Sequence, residues 1–301
     1  MTEIRYYEVG GHQFCIEAAE GLQILDYLQN CHPFEILKAD ACVQTDMVFD
    51  LKIEESFQQL DPKGKFVVQF DGEGAYINMY ENEEGTCSFA ITTDGKDKSV
   101  MAILTMTDCS NKALLTLVSN LHVGTKLYVV NNALMLLYAL TTACRDTLLV
   151  HASVVACQGK GYMFLGRSGT GKSTHSRLWL EYIADTHLLN DDNPVIRLFP
   201  DGAVVYGTPW SGKTPCYRNE SIPLAAIVRL SQYPENKIEH LQGVKAYAAV
   251  APSASAMRWK RKYADGLHST LSKLVSTLDV YHLLCCPNKE AARLCHDTIT
   301  R

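Results

Sequence analysis

The feature that most constrains this chain is the glycine-rich stretch GRSGTGKS at residues 166–173, which fits the pattern G-x-x-x-x-G-K-[ST]. An apolar run suited to a buried strand, residues 162–165, comes before it, and residues 174–183 are predicted to form a helix. Glycines let the backbone come close to phosphates and turn N–H groups toward them at the positive end of a helix. Because strand, loop and helix follow in the required order, we interpret the stretch as a phosphate-binding loop, the alternative being a chance glycine-rich turn.

The same pattern assigns a role to each part of the loop. Lys172 is expected to reach the β- and γ-phosphates of a nucleotide, and the hydroxyl of Ser173 is expected to bind Mg²⁺. ATP and Mg²⁺, or Mn²⁺ in its place, are therefore the predicted cofactors. The residues expected to contact the nucleotide are Gly166, Ser168, Gly169, Thr170, Gly171, Lys172, Ser173 and Thr174.

Composition and charge narrow the class of protein. With 301 residues, of which 47% are hydrophobic and 20% charged, the chain is predicted to be a soluble globular protein of two domains or one large one. Its net charge of −5 argues against a broad basic surface, so we expect no nucleic-acid partner. The charged N-terminus predicts no secretory signal. Even residues 131–150 are interrupted by Arg145 and Asp146, so no run of membrane-spanning length and no membrane partner are expected. Eleven cysteines without a C-x-x-C pair indicate reduced thiols and a cytoplasmic location.

Two regions of different periodicity divide the chain. Residues 1–124 contain stretches of β-branched, aromatic or alternating character between glycine-containing turns, and no motif that indicates their role. Residues 130–144 change to a helical period, and a strand at residues 147–156 then leads by a hairpin to the strand before the loop. We therefore predict a β-rich N-terminal domain, residues 1–124, and a catalytic domain, residues 125–301, in a mixed α/β (α+β) fold.

Three further residues carry candidate chemistry. His151 interrupts an apolar strand, where a lone histidine is more often a hydrogen-bonded core residue than a catalyst. Since the partner strand of that hairpin leads directly into the loop, His151 could also lie near the nucleotide phosphates. Asp191 and Asp192 end an apolar run one helix beyond Lys172. This pair fits a polar turn, but we favour a site with one carboxylate for Mg²⁺ and one for proton transfer.

As an ordered set, these residues resemble the superfamily of HPr kinase/phosphorylase and ATP-dependent phosphoenolpyruvate carboxykinase. The matching elements are the sequences HAS at 151–153, GRSGTGKS at 166–173, LNDD at 189–192 and YGTPWSGKT at 206–214. A proline and an apolar strand, residues 223–228, follow as in the carboxykinases. The resemblance covers roughly residues 145–235 and implies a P-loop kinase core of the HPr kinase and carboxykinase type.

The resemblance implies a role for each residue of the proposed reaction centre. Lys172 would hold the transferring phosphoryl group. Ser173 and Asp192 would bind the divalent metal, and Asp191 would be the general base that takes a proton from a substrate hydroxyl. The assignment of the aspartates as a pair is firmer than the assignment of each one.

Two more residues are carried over from the resemblance, and two features of the named enzymes are missing. His151 matches a histidine that lies near the phosphates in HPr kinases, and Lys213 resembles a lysine that helps to neutralise the transferring phosphate in the carboxykinases. The carboxykinase arginines for oxaloacetate and the HPr kinase segment linked to phosphorolysis have no recognisable counterpart. Neither named reaction is therefore assigned.

The function expected from the sequence is an ATP-dependent kinase similar to the HPr-kinase-like proteins of bacteria. It would transfer the γ-phosphoryl group to a hydroxyl of serine or threonine in a peptide or protein, or of a small metabolite. The alternative is a nucleotide-binding sensor or scaffold without group transfer, although sensing needs no base such as Asp191. A lyase of the carboxykinase type ranks last. The sequence identifies neither the acceptor nor the oligomeric state.

Overall fold

A computed structural model describes residues 2–41, 46–72, 75–94, 96, 99–107, 110–212 and 214–300 of the chain. The architecture is mixed α/β and rich in strands, which confirms the predicted class at this level. The chain divides into two compact units, residues 1–141 and 142–301. The division lies near the end of a long helix, Val123–Thr142, whereas the expected domain boundary between residues 124 and 125 lies near its start.

The first unit is built on one sheet. Its strands, over the part of the unit that the structure describes, are β1 (Glu3–Val9), β2 (His12–Ala18), β3 (Glu35–Ile36), β4 (Asp50–Ser56), β5 (Lys65–Gly72), β6 (Ala75–Glu81), β7 (Thr86–Thr92), β8 (Val100–Thr107) and β9 (Lys112–Val118). They are ordered β3-β1-β2-β4-β9-β8-β7-β6-β5. Its helices are α1 (Ile24–Tyr27) and α2 (Val123–Thr142).

The β1–β2 hairpin shows why this region folds as predicted. Gly10 and Gly11 connect the two strands with φ angles of 56° and 68°, the left-handed conformation that the tightest hairpin turns require. Alternate side chains then enter the core, where the ring of Phe14 stacks on those of Tyr7 and Phe49 at centroid distances of 5.5 and 4.5 Å.

Helix α2 packs against the first sheet. The hydroxyl of Tyr138 donates to the carbonyl oxygen of Val9 at 2.9 Å, and Lys126 forms an ion pair with Glu55. With a mean hydropathy of 1.2 over its apolar window, α2 is long and apolar enough to cross a membrane by length and composition. The expectation that no run reaches this length was wrong, because it considered residues 131–150. A core helix of a soluble protein meets the same criterion, and 44% of this window is buried.

The second unit contains a twisted sheet with helices on both faces. Its strands, over the described residues 142–212 and 214–300, are β10 (Thr147–Leu149), β11 (Ala152–Cys157), β12 (Lys160–Leu165), β13 (Thr186–Asp192), β14 (Val195–Phe199), β15 (Gly202–Tyr206), β16 (Ser221–Gln232), β17 (Lys237–Leu241) and β18 (Asp279–Cys285). The order is β10-β14-β15-β16-β12-β11-β13, with β18 beside β16 and β17 beside β18. Its helices are α3 (Lys172–Tyr182), α4 (Gly243–Val250), α5 (Arg261–Thr277) and α6 (Lys289–Ile299).

The alternation of side chains along β12 explains this layering. Met163 and Leu165 face a core cluster that includes Leu271 of α5, while Phe164 faces a second cluster with Trp179 of α3. Because both faces of the strand are buried after its exposed first residue, β12 is apolar from Tyr162 to Leu165 and lies in the middle of the sheet. The loop that follows β12 therefore starts from a rigid support.

Candidate functional site

Strand pairing brings three candidate segments to one edge of the second sheet. Strand β11 runs antiparallel to both β12 and β13, and Ala152 at its start pairs with Leu165 on one side and Asp192 on the other. His151 lies directly before β11, and Gly166 lies directly after β12. The histidine, the glycine-rich loop and the aspartate pair, far apart in sequence, therefore meet at the same edge.

The loop has the local structure that its sequence predicts. It runs from the end of β12 to α3, which begins at Lys172 and ends at Tyr182. Gly169 and Gly171 have φ angles of 79° and 107°, a region that side chains disfavour. The predicted order of strand, loop and helix is confirmed. Ser173 and Thr174 follow Lys172 in the first turn of α3 and are half-buried.

A chain of polar contacts connects the loop lysine to the aspartate pair through His151. The Nζ atom of Lys172 lies 2.8 Å from Nε2 of His151 and donates to the carbonyl oxygen of Gly166 at 3.0 Å. On the other side of the ring, Nδ1 of His151 lies 3.0 Å from Oδ1 of Asp192. An ammonium group can only donate, so these contacts fit an imidazole that carries its proton on Nδ1 and accepts at Nε2.

The strand predicted around His151 is divided into two strands in the structure. The expected continuous strand at 147–156 is interrupted at residues 150 and 151, between β10 and β11. The backbone N–H of His151 donates to the carbonyl oxygen of Ser253 at 2.7 Å, outside the sheet ladder. His151 is therefore not a core histidine: it is half-buried, and its ring links two candidate site residues.

The two aspartates lie on opposite faces of β13, because neighbouring side chains on a strand point in opposite directions. Asp191 pairs with Ser153, so it shares the α3 face, where the Ser153 hydroxyl lies 2.6 Å from that of Ser176. Asp191 is only 5% exposed, and its carboxylate accepts no hydrogen bond from any residue that the structure describes. A buried carboxylate without a donor is able to accept a proton from a ligand.

A buried amide, which sequence reasoning missed as a site residue, holds the end of β13 in place. Nδ2 of Asn190 donates to Oγ1 of Thr208 at 3.1 Å, and Oδ1 of Asn190 accepts from the N–H of Asn193 at 3.1 Å. Asn190 and Thr208 are both fully buried. The amide therefore ties the turn after the aspartates to the segment after β15. A polar residue inside an apolar run was the signal that could have revealed it.

The segment after β15 lies alongside the aspartate pair, where Ser211 forms an antiparallel bridge with Asp192. The N–H of Gly212 donates to the carbonyl oxygen of Asp191 at 2.6 Å, and a Cβ at Gly212 would lie 3.1 Å from that oxygen. The approach is closer still at Gly207, where a Cβ would lie 2.1 Å from the carbonyl oxygen of Arg218. Close packing thus requires glycine at position 207, and it leaves little room for a side chain at position 212. Lys213, predicted to neutralise phosphate, lies outside the described residues.

A cavity of about 590 Å³ opens beside the loop within the second unit. Its wall contains His151, loop residues from Gly166 to Thr170, the end of β16 and the turn after α4. The residues that line it are His151, Gly166, Arg167, Ser168, Gly169, Thr170, Arg229, Leu230, Ser231, Gln232, Ala249, Pro252 and Ser253. The volume is in the range of pockets that hold small organic ligands.

Comparison with known families assigns more than half of the chain to one family. The model of one family, described as SynChlorMet cassette protein ScmC, matches residues 117–277, which is more than half of the chain. The chain belongs to the ScmC family. The ScmC match contains the loop, His151, both aspartates and the whole cavity wall. No curated protein sequence shows significant similarity to this ScmC chain.

Proposed function

We propose that this ScmC protein is an ATP-dependent kinase with a P-loop core of the HPr kinase and carboxykinase type, acting on a hydroxyl of a peptide, a protein or a small metabolite in the cytoplasm. The observation that carries the proposal is the contact chain from Lys172 through His151 to Asp192, with Asp191 buried beside it. A cation aimed at a phosphate loop, a carboxylate for metal and a carboxylate for proton transfer are the parts that phosphoryl transfer needs.

In the proposed reaction, the acceptor oxygen attacks the γ-phosphorus of ATP, and the bond from that phosphorus to the bridging oxygen of ADP breaks. The proton of the acceptor hydroxyl passes to the carboxylate of Asp191. Loop N–H groups and the ammonium of Lys172 stabilise the negative charge on the phosphate oxygens. Since little covalent chemistry falls to the protein, its contribution is to position the reactants and neutralise charge.

The residues present fit a magnesium ion of the kind that accompanies ATP. Over the described residues, no three His, Cys, Asp or Glu side chains converge on one point, so an all-protein metal cage is not found there. Mg²⁺ in nucleotide sites needs only one or two protein oxygens besides phosphates and water. Ser173 and Asp192 would supply them, and the ion would neutralise phosphate charge. Asp192 already contacts His151 at Oδ1 and Asn193 at Oδ2, so the ion would have to share these oxygens.

The deciding experiment supplies purified protein with γ-labelled ATP, Mg²⁺ and an extract of cells that contain the protein's natural partners. We expect label on a peptide, protein or metabolite, and none when Lys172→Ala replaces the wild type. Binding of Mg·ATP without a labelled acceptor would support the nucleotide-binding sensor instead. Consumption of ATP that depends on oxaloacetate would support a carboxykinase-type lyase. Absence of Mg·ATP binding at micromolar to millimolar concentration would refute all three.

A further inference from the structure

The wall of the cavity opposite the aspartates is formed by the end of β16. Strand β16 pairs with β12 on the side away from β11 and β13, and Arg229 lies in register with Leu165, the last residue before the loop. Arg229 therefore flanks the loop from one side while Asp192 flanks it from the other. A ligand held by the loop would lie between them.

Two guanidinium groups line this cavity without a charge partner among the described residues. Arg229 and Arg167 are both exposed, and neither forms a hydrogen bond or an ion pair with any residue in the described parts of the chain. Among the residues that the structure describes, no aspartate or glutamate lines the cavity. By contrast, the nearby Arg258 donates to the carbonyl oxygens of Ala251 and Ala254.

The residues around Arg229 include a histidine whose pKa responds to its charge and a glutamine that contacts the loop. Burial, and next the charge of Arg229, lower the pKa of His282 on β18, whose Nε2 lies 2.9 Å from the hydroxyl of Ser231. Nε2 of Gln232 lies 3.3 Å from the carbonyl oxygen of Gly169 and so ties the loop to this wall. The arginine thus stands in a formed pocket.

We propose that Arg229 and Arg167 form an anion subsite that binds a phosphate or carboxylate group of a ligand seated beside the loop. Guanidinium groups bind such groups through two parallel hydrogen bonds, which a single ammonium cannot provide. The proposal rests on the proposed kinase function in that the ligand is one of the two reactants. The anionic group belongs either to the nucleotide or to the acceptor, and an acceptor recognised in this way is an acidic one.

The test is calorimetric titration of the full-length protein with two probes: a non-hydrolysable ATP analogue with Mg²⁺, and inorganic phosphate added to the protein saturated with that analogue. The variants are Arg229→Gln and Arg167→Gln. Arg293→Gln on α6 is the matched control, because Arg293 is also exposed and has no partner among the described residues. Circular dichroism verifies that each variant is folded.

If the subsite serves the acceptor, phosphate binds to the wild type saturated with the analogue. Each cavity variant then lowers the affinity for phosphate by about 10-fold or more, while the affinity for the analogue stays unchanged. If the subsite serves the nucleotide, each variant lowers the affinity for the analogue by a similar factor, and phosphate does not bind to the protein saturated with the analogue. Unchanged affinity for both probes in Arg229→Gln and Arg167→Gln, equal to that of the control, would overturn the subsite.

Failure of the kinase proposal gives a different result. If the wild type does not bind the analogue, phosphate is titrated into the nucleotide-free protein and into Lys172→Ala, which removes the cation of the loop itself. Phosphate binding that survives Lys172→Ala and is lost in Arg229→Gln would support the anion subsite without a kinase. Phosphate binding that Arg229→Gln leaves intact would contradict the subsite.

Discussion

The two sheets of this protein bury polar side chains in different ways. In the first unit, the buried polar residues are spread along separate strands, for example Asp50 on β4 and Asn78 on β6. In the second unit, Lys172, Asn190 and Asp191 are all buried at the one edge where β11, β12 and β13 meet the loop.

The difference shows where this fold accepts the unfavourable free energy of burying polar groups close together. Burying a charged or polar group is unfavourable unless it is paired, so isolated polar groups in a core are usually satisfied locally. The contact between the Sγ of Cys15 and the Oδ1 of Asp50 in the first unit is of that kind, at 3.3 Å. A concentration of buried polar groups at one sheet edge is the pattern on which the proposed kinase site rests, and it includes the carboxylate of Asp191, which accepts no hydrogen bond from the described residues. Five predictions test this contrast.

The largest effect is expected at the loop. If the protein is the proposed kinase, Lys172→Ala removes the cation that would face the phosphates and should lower the rate of phosphoryl transfer by about 10³-fold or more. Unfolding temperature should change little, since the side chain contributes to no apolar core. Lys160→Ala is the control: Lys160 is an exposed lysine at the first position of β12, and the variant should transfer at the wild-type rate. Wild-type turnover by Lys172→Ala would contradict the assignment of Lys172 as the cation that faces the phosphates.

The second effect concerns the buried carboxylate. Asp191→Asn keeps the size of the side chain but cannot accept the hydroxyl proton, so kcat should fall by roughly 10²-fold or more. Affinity for Mg·ATP should stay near the wild-type value. Single-turnover rates and nucleotide titrations measure the two quantities separately. A normal rate in both Asp191→Asn and Asp192→Asn would exclude the kinase mechanism.

The third effect is a dependence of stability on pH in the second unit. Burial lowers the pKa of His175 from 6.5 to about 4, and its Nε2 accepts a hydrogen bond from Nε1 of Trp179 at 3.2 Å. The unfolded chain binds a proton below pH 6.5 that the folded chain does not. The free energy of unfolding should therefore fall by up to about 3 kcal/mol as the pH drops from 6.5 to 4. His175→Gln keeps an acceptor for Trp179 and should lose this dependence of the free energy of unfolding on pH, measured by urea titrations. An unchanged dependence would contradict its assignment to His175.

The fourth effect is on metal dependence. If Asp192 binds Mg²⁺, Asp192→Asn should require several-fold to about 10-fold more Mg²⁺ for half-maximal rate, because an amide oxygen is a poorer ligand for a hard cation than a carboxylate. Metal titrations at saturating ATP measure this shift. If Asp191→Asn instead showed the metal effect and Asp192→Asn the loss of kcat, the two roles would be exchanged.

The smallest effect on nucleotide binding is expected in the first unit. Phe14→Leu leaves a gap between the rings of Tyr7 and Phe49 and should lower the free energy of unfolding by about 1 to 2 kcal/mol. Affinity for Mg·ATP should not change, because the candidate site lies in the second unit. Thermal unfolding and nucleotide titration at low temperature measure both. A several-fold loss of nucleotide affinity in a folded Phe14→Leu protein would break the contrast between the units.

Much of the local structure could be predicted from the sequence because it depends on short-range rules. Glycine at positions 169 and 171 permits the backbone of the loop, and the apolar run before it forms β12. The helical period near residue 130 correctly indicated α2, although the helix begins earlier, at Val123, where Nδ1 of His122 accepts a hydrogen bond from the N–H of Gly124 at 3.1 Å. The predicted strand at 147–156 failed at His151, because the backbone there bonds to Ser253, more than one hundred residues away in the chain.

The sequence by itself determined the residue types of the candidate site: a glycine loop with Lys172, a histidine in an apolar run and an aspartate pair. Only the tertiary structure decided which of them meet. The pairing of β11 with both β12 and β13 places His151 between Lys172 and Asp192. The same sheet brings Arg229 to the other side of the loop, although 62 residues of chain separate it from Arg167. Strand order sets such distances, and strand order depends on contacts between distant segments that no local pattern encodes.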